Sequence, residues 1–360
     1  MSWTFFPAQD GCCSAVPAAG GARVRTPACV GGRYRITGIL GGGGCGVVWT
    51  AADLRLDGRP VLVKARRYDR EPGLFAHRAD RHRASQIALL RAQMRFEAMT
   101  MNWLRMRGEA RTPIVLDLVT DEAPDLRGPH DDGTSGPWTW DDPLVAAEPY
   151  LILQPIIGED LLTYAARVRG GPSWPREALR LGRELAGILQ RLHRPLDAQG
   201  HYLIYQDLKP GNVIIGDDRK LHLIDFGAIT LVAPQAGGGT CSCLTDDGLG
   251  ILGVPGAILG NPGLGTPGYK PPEMATPEGR RSLDARVDVY GWGATMWALL
   301  TGREPPAVPE HGPLDLQALK SCACAPRLLH AVHRACQPQR DERPASMTEV
   351  LAMLKEGTAP

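Results

Sequence analysis

Two hydrophobic rhythms divide the chain. From Gly32 to about residue 64, apolar residues come in short runs, Tyr34–Leu40, Val47–Ala51 and Pro60–Lys64, parted by glycines. Alternation at this spacing predicts the strands of an antiparallel meander. Residues 84–106 change to a helical rhythm that sets Ile87, Leu90, Met94, Met101 and Leu104 on one stripe. Pro113–Val119 and Tyr150–Leu153 read as strands again, and the polar, Gly- and Pro-rich residues 121–142 between them predict an exposed loop. Beyond Pro155-Ile-Ile-Gly158 the pattern is mainly helical. Arg176–His193 is amphipathic, with Leu181, Leu185, Ile188, Leu189 and Leu192 inside, while Val287–Leu300 is apolar around most of its circumference and predicts a buried helix. Leu316–Cys322, Pro326–Cys336 and Ser346–Leu354 complete the series, the last with Ser346 as cap and Glu349 at the capping-box position. The pattern predicts an α+β chain: a sheet-rich lobe with one helix, then a mainly helical lobe, joined near 154–158.

Composition adds exclusions. At 360 residues the chain is long enough for two lobes, and 40 basic against 39 acidic residues give a net charge of +1. That balance gives no reason to expect a nucleic-acid or anionic-membrane partner. No run reaches the roughly 18–20 apolar residues of a membrane span. The start, Met-Ser-Trp-Thr-Phe-Phe-Pro, lacks the basic and apolar regions of a signal peptide. Nine cysteines form no secreted-type framework, so the expectation is a cytoplasmic protein with mostly reduced thiols. Cys241/Cys243 and Cys322/Cys324 could supply four thiolates to zinc, although one-residue spacing is tighter than structural zinc sites use.

The candidate chemistry concentrates in a few short stretches. Tyr205-Gln-Asp-Leu-Lys-Pro-Gly-Asn212 precedes two apolar runs, Val213–Ile215 and Leu221–Ile224, that read as a hairpin around Gly216-Asp217-Asp218. Asp225-Phe-Gly227 follows. A potential base, an amide and a metal-binding carboxylate thus gather at one rim, and phosphoryl transfer needs such a set because its catalysis is mostly positioning and charge compensation. Upstream, Leu40-Gly-Gly-Gly-Gly-Cys-Gly-Val-Val48 contains G-x-G-x-x-G-x-V on Gly41, Gly43, Gly46 and Val48. Without side chains the backbone amides can approach phosphates closely, and Val48 can pack over an aromatic base. No Gly-Lys-Ser/Thr follows, so this is not a Walker A loop. Lys64 ends the apolar run Val61-Leu-Val-Lys64, where its ammonium could reach phosphates.

Together these motifs resemble the eukaryotic-type (Hanks-type) serine/threonine protein kinases of bacteria, across residues 32–355. The resemblance implies a bilobal protein-kinase-like fold: a tail over 1–30, an antiparallel-sheet N-lobe with a helix over 31–153, a hinge at 154–158 and a mainly helical C-lobe over 159–356. The activation segment would run from 225 to 273. It implies ATP and Mg²⁺ as cofactors, with Mn²⁺ an alternative, and a protein bearing serine or threonine as substrate. Lys64 matches the phosphate-pairing lysine and Asp207 the catalytic aspartate. Asn212 and Asp225 match the metal ligands, and Lys209 the lysine that contacts the transferring phosphate. Leu153 matches the gatekeeper, and the backbone of Gln154 and Ile156 would meet the adenine edge. Glu97 is the best match for the helix partner of Lys64, with Glu71 beside Pro72 as the rival; choosing Glu97 implies an insert across 68–90. Thr266, in Gly265-Thr-Pro-Gly-Tyr-Lys-Pro-Pro-Glu273, matches the threonine that bonds the catalytic aspartate and lysine. Glu273 is expected to pair with Arg343, and Asp288 to brace the catalytic loop.

The chain departs from the family pattern in two places. His-Arg-Asp reads Tyr205-Gln206-Asp207 here, and the uncharged amide of Gln206 cannot replace the cation that an activation-loop phosphate engages. Activity independent of that phosphorylation is therefore expected. The long activation segment carries apolar residues (Ile251, Leu252, Val254, Ile258, Leu259) that predict docking on the lobe or on a regulatory partner over 237–264. Two other readings remain at this level: a pseudokinase acting as a binding module, and a small-molecule kinase. Retention of Lys64, Asp207, Asn212 and Asp225 argues against the first, and the complete Thr266–Glu273 segment against the second.

Overall fold

A computed structural model describes residues 23–24, 28–42, 46–66, 80–109, 111–121, 126–127, 148–232, 265–306 and 314–355. These divide into two compact units, one of residues up to 108 with 113–156, the other of 109–112 with 157 onward.

The first unit is built on a six-stranded antiparallel sheet. Its strands are β2 (Cys29–Val30), β3 (Tyr34–Gly42), β4 (Val47–Asp53), β5 (Arg59–Ala65), β6 (Val115–Asp121) and β8 (Glu148–Leu153), in the spatial order β2-β3-β4-β5-β8-β6. A separate two-residue pair joins β1 (Arg23–Val24) to β7 (Leu126–Arg127). The period-two rhythm sorts the side chains as expected. Val47, Trp49, Val61, Val63, Tyr150 and Ile152 pack with Val30 and Tyr34 in one buried cluster. Val48 and Thr50, at the intervening positions of β4, are only half-buried. One helix, α1 (Asp80–Met106), packs against β6 and β8, with Met94, Met101 and Leu104 buried. It begins ahead of the predicted residue 84, and the bulk of the expected insert lies outside the described residues.

The second unit is mainly helical. Its helices are α2 (Leu161–Val168), α3 (Trp174–Leu192), α4 (Pro277–Arg281), α5 (Arg286–Thr301), α6 (Pro326–Ala335) and α7 (Met347–Met353). Small sheets complete it: β9 (Gly158–Asp160), β11 (Val213–Gly216) and β12 (Leu221–Leu223) in the order β12-β11-β9, and β10 (Tyr202–Ile204) with β13 (Thr230–Val232). Every residue of α5 from Val287 to Leu300 is buried, so α5 is the central post that its unpatterned apolar sequence predicts. Trp292 ties it to α3 by donating its indole N–H to the Gly182 carbonyl at 3.0 Å. Residues 316–321 form a 3₁₀ turn rather than an α-helix. At α7 the Ser346 hydroxyl accepts from the Glu349 N–H, while the Glu349 carboxylate reaches back to the Ala345 N–H, one residue before the cap. Among the described residues no helix is long and apolar enough to cross a membrane.

Candidate active site

In the sheet unit, strand register aligns the candidate nucleotide-holding groups. Val48 on β4 lies directly opposite Lys64 on β5, which lies opposite Leu151 on β8; Leu62 lies opposite Leu153. Directly opposed residues share a face, so Val48, Lys64 and Leu153 occupy one side of the sheet, the side away from the Trp49 cluster. Lys64 is buried, and its Nζ donates to Glu97 Oε1 on α1 at 2.5 Å. The structure thus brings Glu97 to Lys64; Glu71 lies outside the described residues.

The glycine run opens at the end of β3, where Gly41 pairs with Val48 and Gly42 with Val47. Gly46 returns the chain into β4 so tightly that a Cβ there would stand 2.5 Å from the Ala65 carbonyl oxygen. No side chain fits at that distance. Gly43 and Cys45 lie outside the described residues. After β8 the Gln154 N–H donates to the Ile114 carbonyl at 2.9 Å, fixing the start of the segment that holds half-buried Ile156.

In the helical unit, the residues after β10 converge on Asp207, which is 4% exposed. Its Oδ1 accepts from the Thr266 N–H at 2.7 Å and from the Thr266 hydroxyl at 2.8 Å. Its Oδ2 accepts from Asn212 Nδ2 at 2.9 Å and, more loosely, from Lys209 Nζ at 3.3 Å. Lys209 also donates to Thr266 Oγ1 at 2.6 Å, and Asn212 to the Asp207 carbonyl at 2.8 Å. Four of the predicted residues, three of them neighbours in one loop and Thr266 59 residues beyond Asp207, thus form one hydrogen-bonded cluster.

Helix α5 holds this loop from behind. The Asp288 carboxylate accepts from the consecutive N–H groups of Tyr205 and Gln206, both at 2.8 Å, and from His193 Nε2 at 2.8 Å. Two turns on, the Thr295 hydroxyl donates to the Leu208 carbonyl at 3.2 Å. Sequence reasoning named Asp288 and missed Thr295, although seven residues return an α-helix to nearly the same face. Asp225 has a φ of +61°, its carboxylate accepts from the Gly227 N–H at 3.3 Å, and neighbouring Phe226 packs edge-on against Tyr205 with ring centroids 5.4 Å apart. The Tyr205 hydroxyl donates to the Ile224 carbonyl.

Gln206, which the resemblance sets where those kinases carry arginine, turns inward. It has a φ of +66°, is 2% exposed, and donates from Nε2 to the Ala228 carbonyl at 2.6 Å and to Thr230 Oγ1 at 2.5 Å. Its partners are the residues just after Asp225-Phe-Gly227, which no spacing rule in the sequence marks. Arg343 pairs bidentately with Glu273, at 2.7 and 2.9 Å, donates further to the Gln337 and Pro338 carbonyls, and lies over the Tyr290 ring.

The cysteine readings find less. Cys241, Cys243 and the whole 237–264 segment lie outside the described residues. Cys322 is half-buried with its Sγ 3.6 Å from the Leu300 and Ala318 carbonyls. Burial pushes its thiol up, and that of Cys324 up to about 11. Among the described residues no group of three or more His, Cys, Asp or Glu is arranged to hold a metal ion.

Comparison with known proteins agrees with this geometry. The model of the protein kinase domain matches residues 148–322. The serine/threonine-protein kinase PknB of Mycolicibacterium smegmatis is 28% identical over 272 residues, covering 75% of this chain and 32% of that protein. PkaA of Streptomyces coelicolor is 30% identical, covering 58% of this chain and 34% of its own length; pkn2 of Myxococcus xanthus is 30% identical, covering 49% and 18%. The chain therefore spans about a third or less of each of these curated relatives. Among solved structures, the ROP18 kinase domain in complex with AMP-PNP and sucrose superposes with a TM-score of 0.54 at 18% identity, covering 90% of this chain and 80% of that one. At that identity the likeness is one of fold.

Proposed function

We propose that the chain is a protein kinase like the bacterial serine/threonine kinases it is similar to, and that it transfers the γ-phosphate of ATP to a serine or threonine hydroxyl of a protein. The observation that carries this reading is the four-bonded carboxylate of Asp207. A carboxylate offers about four lone-pair sites, and Thr266, Asn212 and Lys209 take all of them. The group is thus held in one orientation before substrate arrives, which is what electrostatic preorganisation requires. The Lys209 contact is the longest of the four, so it is the one an incoming hydroxyl displaces. Asp207 then orients that hydroxyl and accepts its proton, while Lys209, still bonded to Thr266, offsets charge on the transferred group. The Lys209–Thr266 bond supports serine or threonine as acceptor.

The family uses ATP with a divalent metal ion. Asn212 and Asp225 fit such an ion: both amide N–H groups of Asn212 are engaged by Asp207, leaving its oxygen as donor, and Asp225 supplies a carboxylate. Hard oxygen donors of this kind suit Mg²⁺, with Mn²⁺ the alternative. A bound Mg²⁺ would neutralise charge on the phosphate oxygens. In the sheet unit, Lys64 held by Glu97 would pair the phosphates, and the Gly41–Gly46 run with Val48, Leu153, Gln154 and Ile156 would hold the nucleotide.

The test is transfer of labelled γ-phosphate from Mg-ATP to the chain itself and to a generic basic protein. Asp207→Asn is expected to lower transfer by about 10²–10⁴-fold, the range of general acid–base catalysis. Nucleotide binding without transfer in the wild-type chain would favour a binding module instead, and label recovered only on a small molecule would favour a metabolite kinase.

A further inference from the structure

Beside Lys64–Glu97, two further polar pairs join α1 to the sheet among the described residues. Arg66, just past the end of β5, donates from Nη2 to Gln93 Oε1 at 3.0 Å. Arg91 donates from Nε to Glu148 Oε2 on β8, also at 3.0 Å. Arg91 is 7% exposed and Glu148 is fully buried. Positions 91, 94, 98 and 101 recur at helical spacing, and Met94, Ala98 and Met101 are buried. Arg91 therefore occupies the first step of an apolar seam, where a leucine would pack without desolvating a charge.

A buried ion pair is poor evidence for stability, because apolar residues of similar volume do as well or better. What it supplies is direction. An apolar seam tolerates rotation of the helix or a slide along it, whereas a guanidinium bonds a buried carboxylate in few geometries. Arg91 lies six residues before Glu97, about 9 Å along the helix axis. The rotation and register that seat Arg91 on Glu148 are the ones that seat Glu97 on Lys64.

We propose that Arg91 and Glu148 are positioning residues: their buried pair sets the register of α1 so that the Lys64–Glu97 contact forms without a ligand or modification, with Arg66–Gln93 as a second pin. The importance of that contact rests on the kinase reading, but its formation does not. The experiment therefore reads the contact directly. The full chain is treated briefly with acetic anhydride, and acetylation of Lys64 is followed by mass spectrometry with Lys209 and Lys220 as internal references. Wild type, Arg91→Gln, Glu97→Gln, the double variant and Arg91→Lys are compared, each with its melting temperature.

Arg91→Gln is expected to raise Lys64 labelling about tenfold over the references, with Arg91→Lys between it and wild type. The double variant should label no faster than Glu97→Gln alone, because Arg91 acts through Glu97. Lys64 labelling within about twofold of wild type in Arg91→Gln, with only melting affected, would overturn the proposal, as would effects that multiply in the double variant. If Arg91→Gln does not fold, Glu148→Gln, which keeps an acceptor oxygen, carries the same comparison. Absence of phosphate transfer by wild type would count against the kinase reading and leave the labelling result standing.

Discussion

In the sheet unit the polar contacts of the candidate site run between the tips of long side chains, Lys64 to Glu97 and Arg91 to Glu148; in the helical unit several run instead from short side chains to backbone, Asp288 to two successive N–H groups and Asn212 to a carbonyl. A long side chain has several rotatable bonds between its head group and the fold, so such a contact can be broken while the element stays in place. A short side chain bonded to backbone fixes the path of the chain itself. The lysine pair can therefore be lost without losing the sheet, whereas the loop of Tyr205–Asn212 and its Asp288 brace stand or fall together.

The comparison can be broken most directly at Asp288. Asn in its place turns an NH₂ group toward one of the two N–H donors and removes the charge. Asp288→Asn is expected to cost about 3 kcal/mol of stability, as for lost hydrogen bonds to a buried charged group, and to abolish measurable transfer. Chemical denaturation with a transfer assay checks it; a variant of normal stability and activity would show that the loop does not depend on this brace. Next comes Glu273→Gln, which asks whether side-chain length or unit matters. Its contact is made by long side chains but sits in the helical unit, and it leaves the fully buried Arg343 cation without its carboxylate. About 2–3 kcal/mol of destabilisation is expected, below the usual figure for breaking a buried pair because Glu273 is partly exposed. The smallest effect is at Gln206. Phosphatase treatment should leave turnover within about twofold, since no cation at that position awaits a phosphate; abolition of turnover would overturn the expectation.

The helical unit was the more legible of the two for the same reason. Asp207, Lys209, Asn212 and Asp225 act within or beside one short hairpin, so their spacing carries their geometry. The resemblance matched Lys64, at the end of an apolar strand, and Glu97, ahead of Met101 and Leu104 at core-facing spacing. What the pattern could not disclose depends on partners distant in sequence. Nothing near Arg91 points to Glu148, and nothing near Gln206 points to Thr230. Edge strand β2 is two residues long, too short for any period, so residues within the expected 1–30 tail enter the sheet. Strand β6 begins at Val115, two residues beyond the predicted start; Pro113, lacking an N–H, cannot donate to the ladder.

The close approach at Gly46 also has a genetic side. Every amino acid other than glycine carries a Cβ, and that atom would lie 2.5 Å from the backbone oxygen of Ala65. Each nucleotide change that alters this codon's meaning is therefore expected to harm the loop, whatever residue it introduces. A saturation library selected for folding alone should return glycine here while tolerating diversity at Gly41, whose Cβ would meet nothing within 4 Å; selection for nucleotide binding is expected to restrict Gly41 as well. The mutational record of a population would then register the turn into β4 as a silent-only codon.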